Sequence, residues 1–116
     1  MNNYKYGHLA EYIALCFLRL KGYHKIDTNY FIGKGTRAGE VDLIVCKNKT
    51  LVFVEVKKRK NITDAAYSIV ALQQKRIRRS AEVFLKNNPQ FCNYDIRFDA
   101  VLFASLFKFQ HIENAF

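Results

Sequence analysis

Acidic residues are scarce in this chain: ten Asp and Glu stand against 19 Lys and Arg, a formal net charge of +9 over 116 residues. An excess of that size implies a partner carrying negative charge, either nucleic acid or an anionic membrane surface. The imbalance is sharpest over residues 57–79, where Lys57, Lys58, Arg59, Lys60, Lys75, Arg76, Arg78 and Arg79 face a single acid, Asp64. The plain alternative for such a run is a solvated face. Cysteine is also sparse. Cys16, Cys46 and Cys92 are odd in number, widely spaced and without Cys-x-x-Cys pairing, which excludes a disulfide framework and gives no zinc signature. Reduced, buried thiols in a cytoplasmic protein are expected instead. No apolar run approaches the roughly 18 residues of a membrane span. Residues 1–23 lack a small-residue cleavage site and carry Glu11 within their apolar part, against a signal peptide. A soluble protein with no membrane partner is the expectation. Half the residues are hydrophobic and 15% aromatic, enough to bury a core and too many for a disordered chain. The length suits one domain, 1–116.

Residues 3–21 have a helical pattern, capped by Asn2 or Asn3, with Leu9, Ile13, Cys16, Phe17 and Leu20 as the apolar stripe and Gly22 as the stop. Glu11 shares a different face with Gly7, Ala14, Leu15 and Leu18. A surface position is the ordinary reading of a single helical Glu. Residues 25–32 suit a strand. The glycines of residues 33–39 match no phosphate-binding fingerprint and precede a strand rather than a helix, so that stretch is expected to be a mobile loop. After a strand hairpin, Thr63 or Asp64 can cap a short helix beginning at residues 65–67. A longer helix follows over residues 72–87, with Leu72, Ile77, Ala81, Phe84 and Leu85 inward, and Pro89 ends it. Residues 94–104 and 108–111 read as strands. The order αβββαβ, with a helical crossover between the third and fourth strands, predicts parallel pairing there and a mixed sheet flanked by helices.

The unusual stretch is residues 39–60, GEVDLIVCKNKTLVFVEVKKRK. It reads as two apolar strands around a turn at Asn48-Lys49, interrupted by Glu40, Asp42, Glu55 and Lys57, residue types that strand interiors avoid. Antiparallel pairing about that turn joins positions summing to 97, which sets Asp42 opposite Glu55 and Glu40 opposite Lys57. Opposed Cβ atoms lie roughly 4.5–5.5 Å apart, so the two carboxylates repel unless a positive group lies between them. Alternation puts Glu55 and Lys57 on one face. Carboxylate oxygens suit hard cations such as Mg²⁺ or Mn²⁺, and a water on such a cation becomes a nucleophile near neutral pH. Lys57 could orient or deprotonate that water, or neutralise charge on a phosphate. An Asp42–Lys57 or Glu55–Lys57 ion pair without metal is the alternative. Against it stands the burial implied by Leu43-Ile44-Val45 and Leu51-Val52-Phe53-Val54, where unpaired charge is costly. Glu40 could be a further ligand or a partner of Lys57.

Asp42, twelve residues, then Glu55-Val56-Lys57 resembles the D…E-x-K core of the PD-(D/E)XK nuclease superfamily. The longer text is more specific. Gly39-Glu40-Val41-Asp42-Leu43-Ile44, the run from Leu51 to Lys57 followed by Arg59, Arg97-Phe98-Asp99, and His111-Ile112-Glu113-Asn114-Ala115-Phe116 resemble the small bacterial YraN-like family of predicted endonucleases, distantly related to archaeal Holliday-junction resolvases. The resemblance covers nearly the whole chain and implies an α/β, restriction-endonuclease-like core. It further implies that Glu11, Asp42, Glu55 and the Val56 carbonyl hold Mg²⁺ or Mn²⁺, that Lys57 serves the attacking water, and that Gln74 faces the site. The superfamily's Pro before the Asp is Val41 here, the Lys expected before the helix Gln is Gln73, and the loop of residues 32–39 is longer than usual. These departures leave the ligands intact and touch substrate contacts. In this frame Lys58, Arg59, Lys60, Lys75, Arg76, Arg78 and Arg79 become phosphate contacts, which position a duplex without reading its sequence.

The leading expectation is a metal-dependent endonuclease hydrolysing DNA phosphodiester bonds, with branched or structured DNA among the candidate substrates. One alternative is a non-catalytic nucleic-acid-binding module on the same scaffold. Another is a protein-interaction domain with an incidental basic surface. Symmetric cleavage by resolvases requires two sites and hence a homodimer, but no stretch of this chain marks an interface.

Overall fold

A computed structural model describes the backbone of residues 3–31 and 40–116; of their side chains, those of residues 3–7, 31 and 40 lie outside the description. The loop expected at residues 33–39, the Asn2 or Asn3 cap and the Glu40 side chain therefore fall outside it. Helix α1 (Asn3–Leu20) is followed by strands β1 (His24–Phe31), β2 (Glu40–Lys47) and β3 (Thr50–Lys58), helices α2 (Ile62–Tyr67) and α3 (Ala71–Asn87), a single 3₁₀ turn (Pro89–Phe91), and strands β4 (Asp95–Ser105) and β5 (Lys108–Ile112). The five strands form one sheet in the order β1-β2-β3-β4-β5. Pairing is antiparallel except between β3 and β4, which run parallel. The expected mixed sheet flanked by helices is present, compatible with a restriction-endonuclease-like core.

Both sheet faces are covered. On one, Ala10, Ala14, Leu15 and Leu18 of α1 pack over Leu43, Val45, Val52, Val54, Val101 and Phe103. On the other, Ile77, Ala81 and Phe84 of α3 meet Ile44, Leu51 and Phe53, while Ala65 of α2 sits on Ala100 and Leu102. The most buried face of α1 is thus the one that carries Glu11; of the stripe read from the larger side chains, Ile13 packs beside that face and Phe17 against Phe109. Ala10 and Ala14 let the helix approach the sheet closely, and Leu20 is left 88% exposed. Leu72, expected inside, is 57% exposed, in the first turn of α3.

Helix α1 ends in a Schellman motif: Tyr23 N–H donates to Leu18 O and Gly22 N–H to Arg19 O, both at 3.0 Å. Gly22 takes φ +97°, a conformation that costs residues with a Cβ about 1–2 kcal/mol. The motif turns Tyr23 into the core. Helix α2 is capped by Asn61, whose side chain accepts from Asp64 N–H, rather than by Thr63 or Asp64. An amide side chain one residue before the helix performs the task expected of residues that lie inside it. Pro89 opens the 3₁₀ turn after α3, as its missing N–H allows.

Candidate functional site

The β2–β3 turn has Asn48 at φ 50° and Lys49 at φ 61°, the paired left-handed conformation of the tight hairpin turn. Lys49 is held there by Asp95 N–H, which donates to its carbonyl at 2.9 Å. From that turn the register runs from Lys47↔Thr50 to Leu43↔Val54, the sum-97 pairing expected from the sequence. It stops there. Instead of continuing to an Asp42–Glu55 pair, the strand gives up its backbone partner, and Val56 N–H donates to Asp42 Oδ2 at 2.7 Å. A carboxylate thus replaces a ladder carbonyl, and the alternation slips with it: Val41 packs in the α3-side cluster and Leu43 in the α1-side cluster. The Asp42 carboxylate therefore points between the strands, held beside the Glu55-Val56-Lys57 backbone.

Glu55 is 3% exposed and forms an ion pair with Lys57, Oε1 to Nζ 3.7 Å. The two side chains share a face, as alternation required, and the ion pair foreseen as an alternative is present. That face is the one covered by α2, because Glu55 is level with Ala100 and Lys57 with Leu102 on β4. Glu11 is half-buried on α1, across the sheet. Helix α1 ends near the start of β1, where His24 pairs with Cys46. Gln74 is half-buried, and its Nε2 donates to Ile69 O at 3.0 Å, tying the start of α3 to the preceding corner.

Oxygen donors only, two of them carboxylates on adjacent strands with the Val56 carbonyl between, fit a hard divalent cation that keeps several waters. Among the described residues, no three His, Cys, Asp or Glu side chains gather closely enough to hold a metal ion by themselves. Of the basic residues, Lys58 ends β3, Arg59 and Lys60 follow it, and Lys75, Arg76, Arg78 and Arg79 lie on α3. Arg59, Lys60, Lys75, Arg78 and Arg79 are exposed and Lys58 and Arg76 half-buried. Arg59 donates to Lys58 O at 2.7 Å, and Arg78 stacks over Phe98 with 4.5 Å to the ring centre. No described helix is long and apolar enough to cross a membrane. The cysteines are unbridged; Cys16 and Cys46 are half-buried, and Cys92 is exposed, against the expectation of burial. Burial pushes the Cys46 thiol up from its ordinary range. A cleft of about 490 Å³ lined by Arg19, Gly22, Tyr23, His24 and Lys25 opens at the opposite end of β2, with no acid in its wall.

A second polar cluster had no role assigned from the sequence. Asp99, fully buried, accepts from Arg97 Nε and Nη2, both at 2.8 Å, and from Asn114 N–H at 3.2 Å. His111 Nε2 lies 2.8 Å from its Oδ2. Lys21 Nζ, which can only donate, is 2.7 Å from His111 Nδ1, so Nε2 carries the proton shared with Asp99. Arg97 also reaches the Tyr23 hydroxyl at 2.5 Å. Burial alone would raise the Asp99 pKa, but the hydrogen bonds from His111 and Arg97 and the Arg97 charge outweigh it and hold the carboxyl below its usual value. The same contact raises the Arg97 guanidinium. The cluster lies on the α1 face and pins the last residues: Ala115 N–H donates to Phe98 O at 2.8 Å, and Phe116 packs on Phe98. Its signal was available in the sequence, since Asp99 interrupts the apolar run DIRFDAVLFA just as Asp42 interrupts β2.

Comparison with known proteins finds relatives over most of the chain. The chain is 39% identical over 109 residues to UPF0102 protein amb4503 of Paramagnetospirillum magneticum, covering 94% of this chain and 84% of that one. It is 40% identical over 110 residues to a UPF0102 protein of Rhodopseudomonas palustris, at 95% and 81% coverage. A UPF0102 protein of Ehrlichia ruminantium is 41% identical over 109 residues, at 94% and 81%. The model of the uncharacterised protein family UPF0102 matches residues 10–103, and the chain belongs to that family, the YraN-like one.

Proposed function

We propose that the protein is a metal-dependent endonuclease that hydrolyses phosphodiester bonds in DNA, with its centre at the parted ends of β2 and β3. The observation that carries the reading is the 2.7 Å bond from Val56 N–H to Asp42 Oδ2. It fixes one carboxylate against the backbone that bears Glu55 and Lys57. Asp42, Glu55 and the Val56 carbonyl would hold Mg²⁺ or Mn²⁺, with Glu11 joining them from α1. Such a cation, when bound, brings Lewis-acid polarisation of the phosphate and a more acidic water. Lys57 orients the attacking water and offsets negative charge growing on the phosphate. Gln74 stands at the start of α3, where it can hydrogen-bond the substrate or the water. Lys58, Arg59, Lys60, Lys75, Arg76, Arg78 and Arg79 grip the backbone on either side of the bond to be cut.

The test is incubation with supercoiled, single-stranded and four-way-junction DNA in Mg²⁺, in Mn²⁺ and in chelator. Cleavage of at least one substrate that vanishes with chelator is expected. Salt-sensitive binding of all three with no cleavage would instead mean a binding module that keeps the scaffold without the chemistry.

A further inference from the structure

The corner between α2 and α3 is apolar where a solvated surface should not be. Tyr67 is 80% exposed, Val70 56% and Leu72 57%. Single exposed apolar side chains need no explanation, but three within six residues form a patch. The corner is also firmly built. Ser68 donates to Ala65 O at 2.6 Å, Gln74 Nε2 holds Ile69 O, and Ile69 is anchored against Ala65, Ala100 and Leu102. Ala100 and Leu102 are the strand neighbours of Glu55 and Lys57, so the patch rises beside the proposed centre, on the same face of the sheet. Its flanks are strongly cationic: Lys58, Arg59 and Lys60 precede it, and Lys75, Arg76 and Arg79 follow it.

An apolar, aromatic-bearing knuckle ringed by cations is complementary to an anionic polymer that also exposes flat apolar faces. Paired duplex offers only its charged backbone outside the grooves, whereas an unpaired nucleotide offers a base face for stacking. We infer that the Tyr67–Leu72 corner is a stacking platform for an unpaired base in DNA, with Tyr67 as the stacking ring and Val70 and Leu72 as its apolar surround. The inference rests on the nuclease reading and names its substrate class: DNA with an unstacked nucleotide next to the bond that is cut.

The test compares the full chain with its Tyr67→Ala and Tyr67→Phe variants, binding a fully paired duplex and the same duplex carrying one unpaired 2-aminopurine. Tyr67 is almost fully exposed, so neither change threatens the fold. Tyr67→Ala is expected to weaken binding to the bulged duplex about tenfold, in the range of one lost base–aromatic stack. Binding to the paired duplex is expected to be unchanged, and Tyr67→Phe to behave as the unaltered protein. The 2-aminopurine fluorescence should be quenched by the unaltered protein and not by Tyr67→Ala. Equal affinity for the two duplexes, or equal losses on both, overturns the platform while leaving the DNA reading intact. A dimer that Tyr67→Ala converts to monomer without selective loss on the bulged duplex overturns it in favour of a self-association face. Failure to bind any DNA at low salt takes down both readings together.

Discussion

Asp42 has two tasks that one substitution can separate. Its Oδ2 is the acceptor for Val56 N–H, a structural role that an amide oxygen can fill, and its charge is the part needed for a cation. Asp42→Asn is therefore predicted to melt within a degree or two of the unaltered protein, whereas Asp42→Ala orphans the Val56 N–H and loses about 1–3 kcal/mol. Thermal unfolding followed by circular dichroism measures both. Asp99 acts on stability alone. Its folded pKa lies below the ordinary 3.8, so its contribution is present above that value and is lost as pH falls through the lowered folded one. Asp99→Asn should be less stable by an amount that stays constant from neutrality to about pH 5 and then shrinks below pH 4. Urea titrations across pH 2–7 would show this convergence. A gap that persists at pH 2 would mean that the ion pair is not its source. Neither role could be read directly from the sequence. Asp42 was visible as a charge in an apolar strand, but its capture of a backbone N–H depends on where the ladder ends. The Asp99 cluster joins Tyr23 to Arg97 and Lys21 to His111, partners 74 and 90 residues apart.

At the scale of elements, the hairpin was the most legible part, because a two-residue turn fixes the pairs that follow it, here as far as Leu43↔Val54. The parallel β3–β4 pair was equally readable, since a helical crossover forces it. The helices were less so. Apolar size suggested that Leu9, Ile13, Cys16, Phe17 and Leu20 cover the sheet, yet the small Ala10 and Ala14 face it, and this placed Glu11 on the wrong side in a reading from residues alone. The outward face of α3 carries Lys75 and Arg79, one helical turn apart and both exposed. If they meet DNA phosphates, replacing both with Ala should flatten the slope of log affinity against log salt by about 2, with little change in sequence preference. Fluorescence anisotropy from 50 to 300 mM salt reads that slope. An unchanged slope would assign these residues to a solvated face.

Across the whole molecule, a three-layer arrangement puts the polar cluster of Asp99 under α1 and the Glu55–Lys57 pair under α2, on opposite faces of one sheet. Eight of the 19 basic residues fall between residues 57 and 79. Composition alone raised the expectation of an anionic partner, and the D…E-x-K resemblance raised that of hydrolysis. The exposed corner of Tyr67, Val70 and Leu72 escaped notice, because Leu72 fits the apolar face of α3 by spacing and only the packing shows it exposed. The central claim is that Asp42, Glu55 and Lys57 together cut DNA. It is met most directly by single-turnover cleavage in Mg²⁺ with the unaltered protein, Asp42→Asn and Lys57→Met, each first shown to unfold cooperatively at native-like temperature. A rate reduced by roughly 10²–10⁴ in both variants is predicted. Cleavage at the unaltered rate by either folded variant would contradict the account.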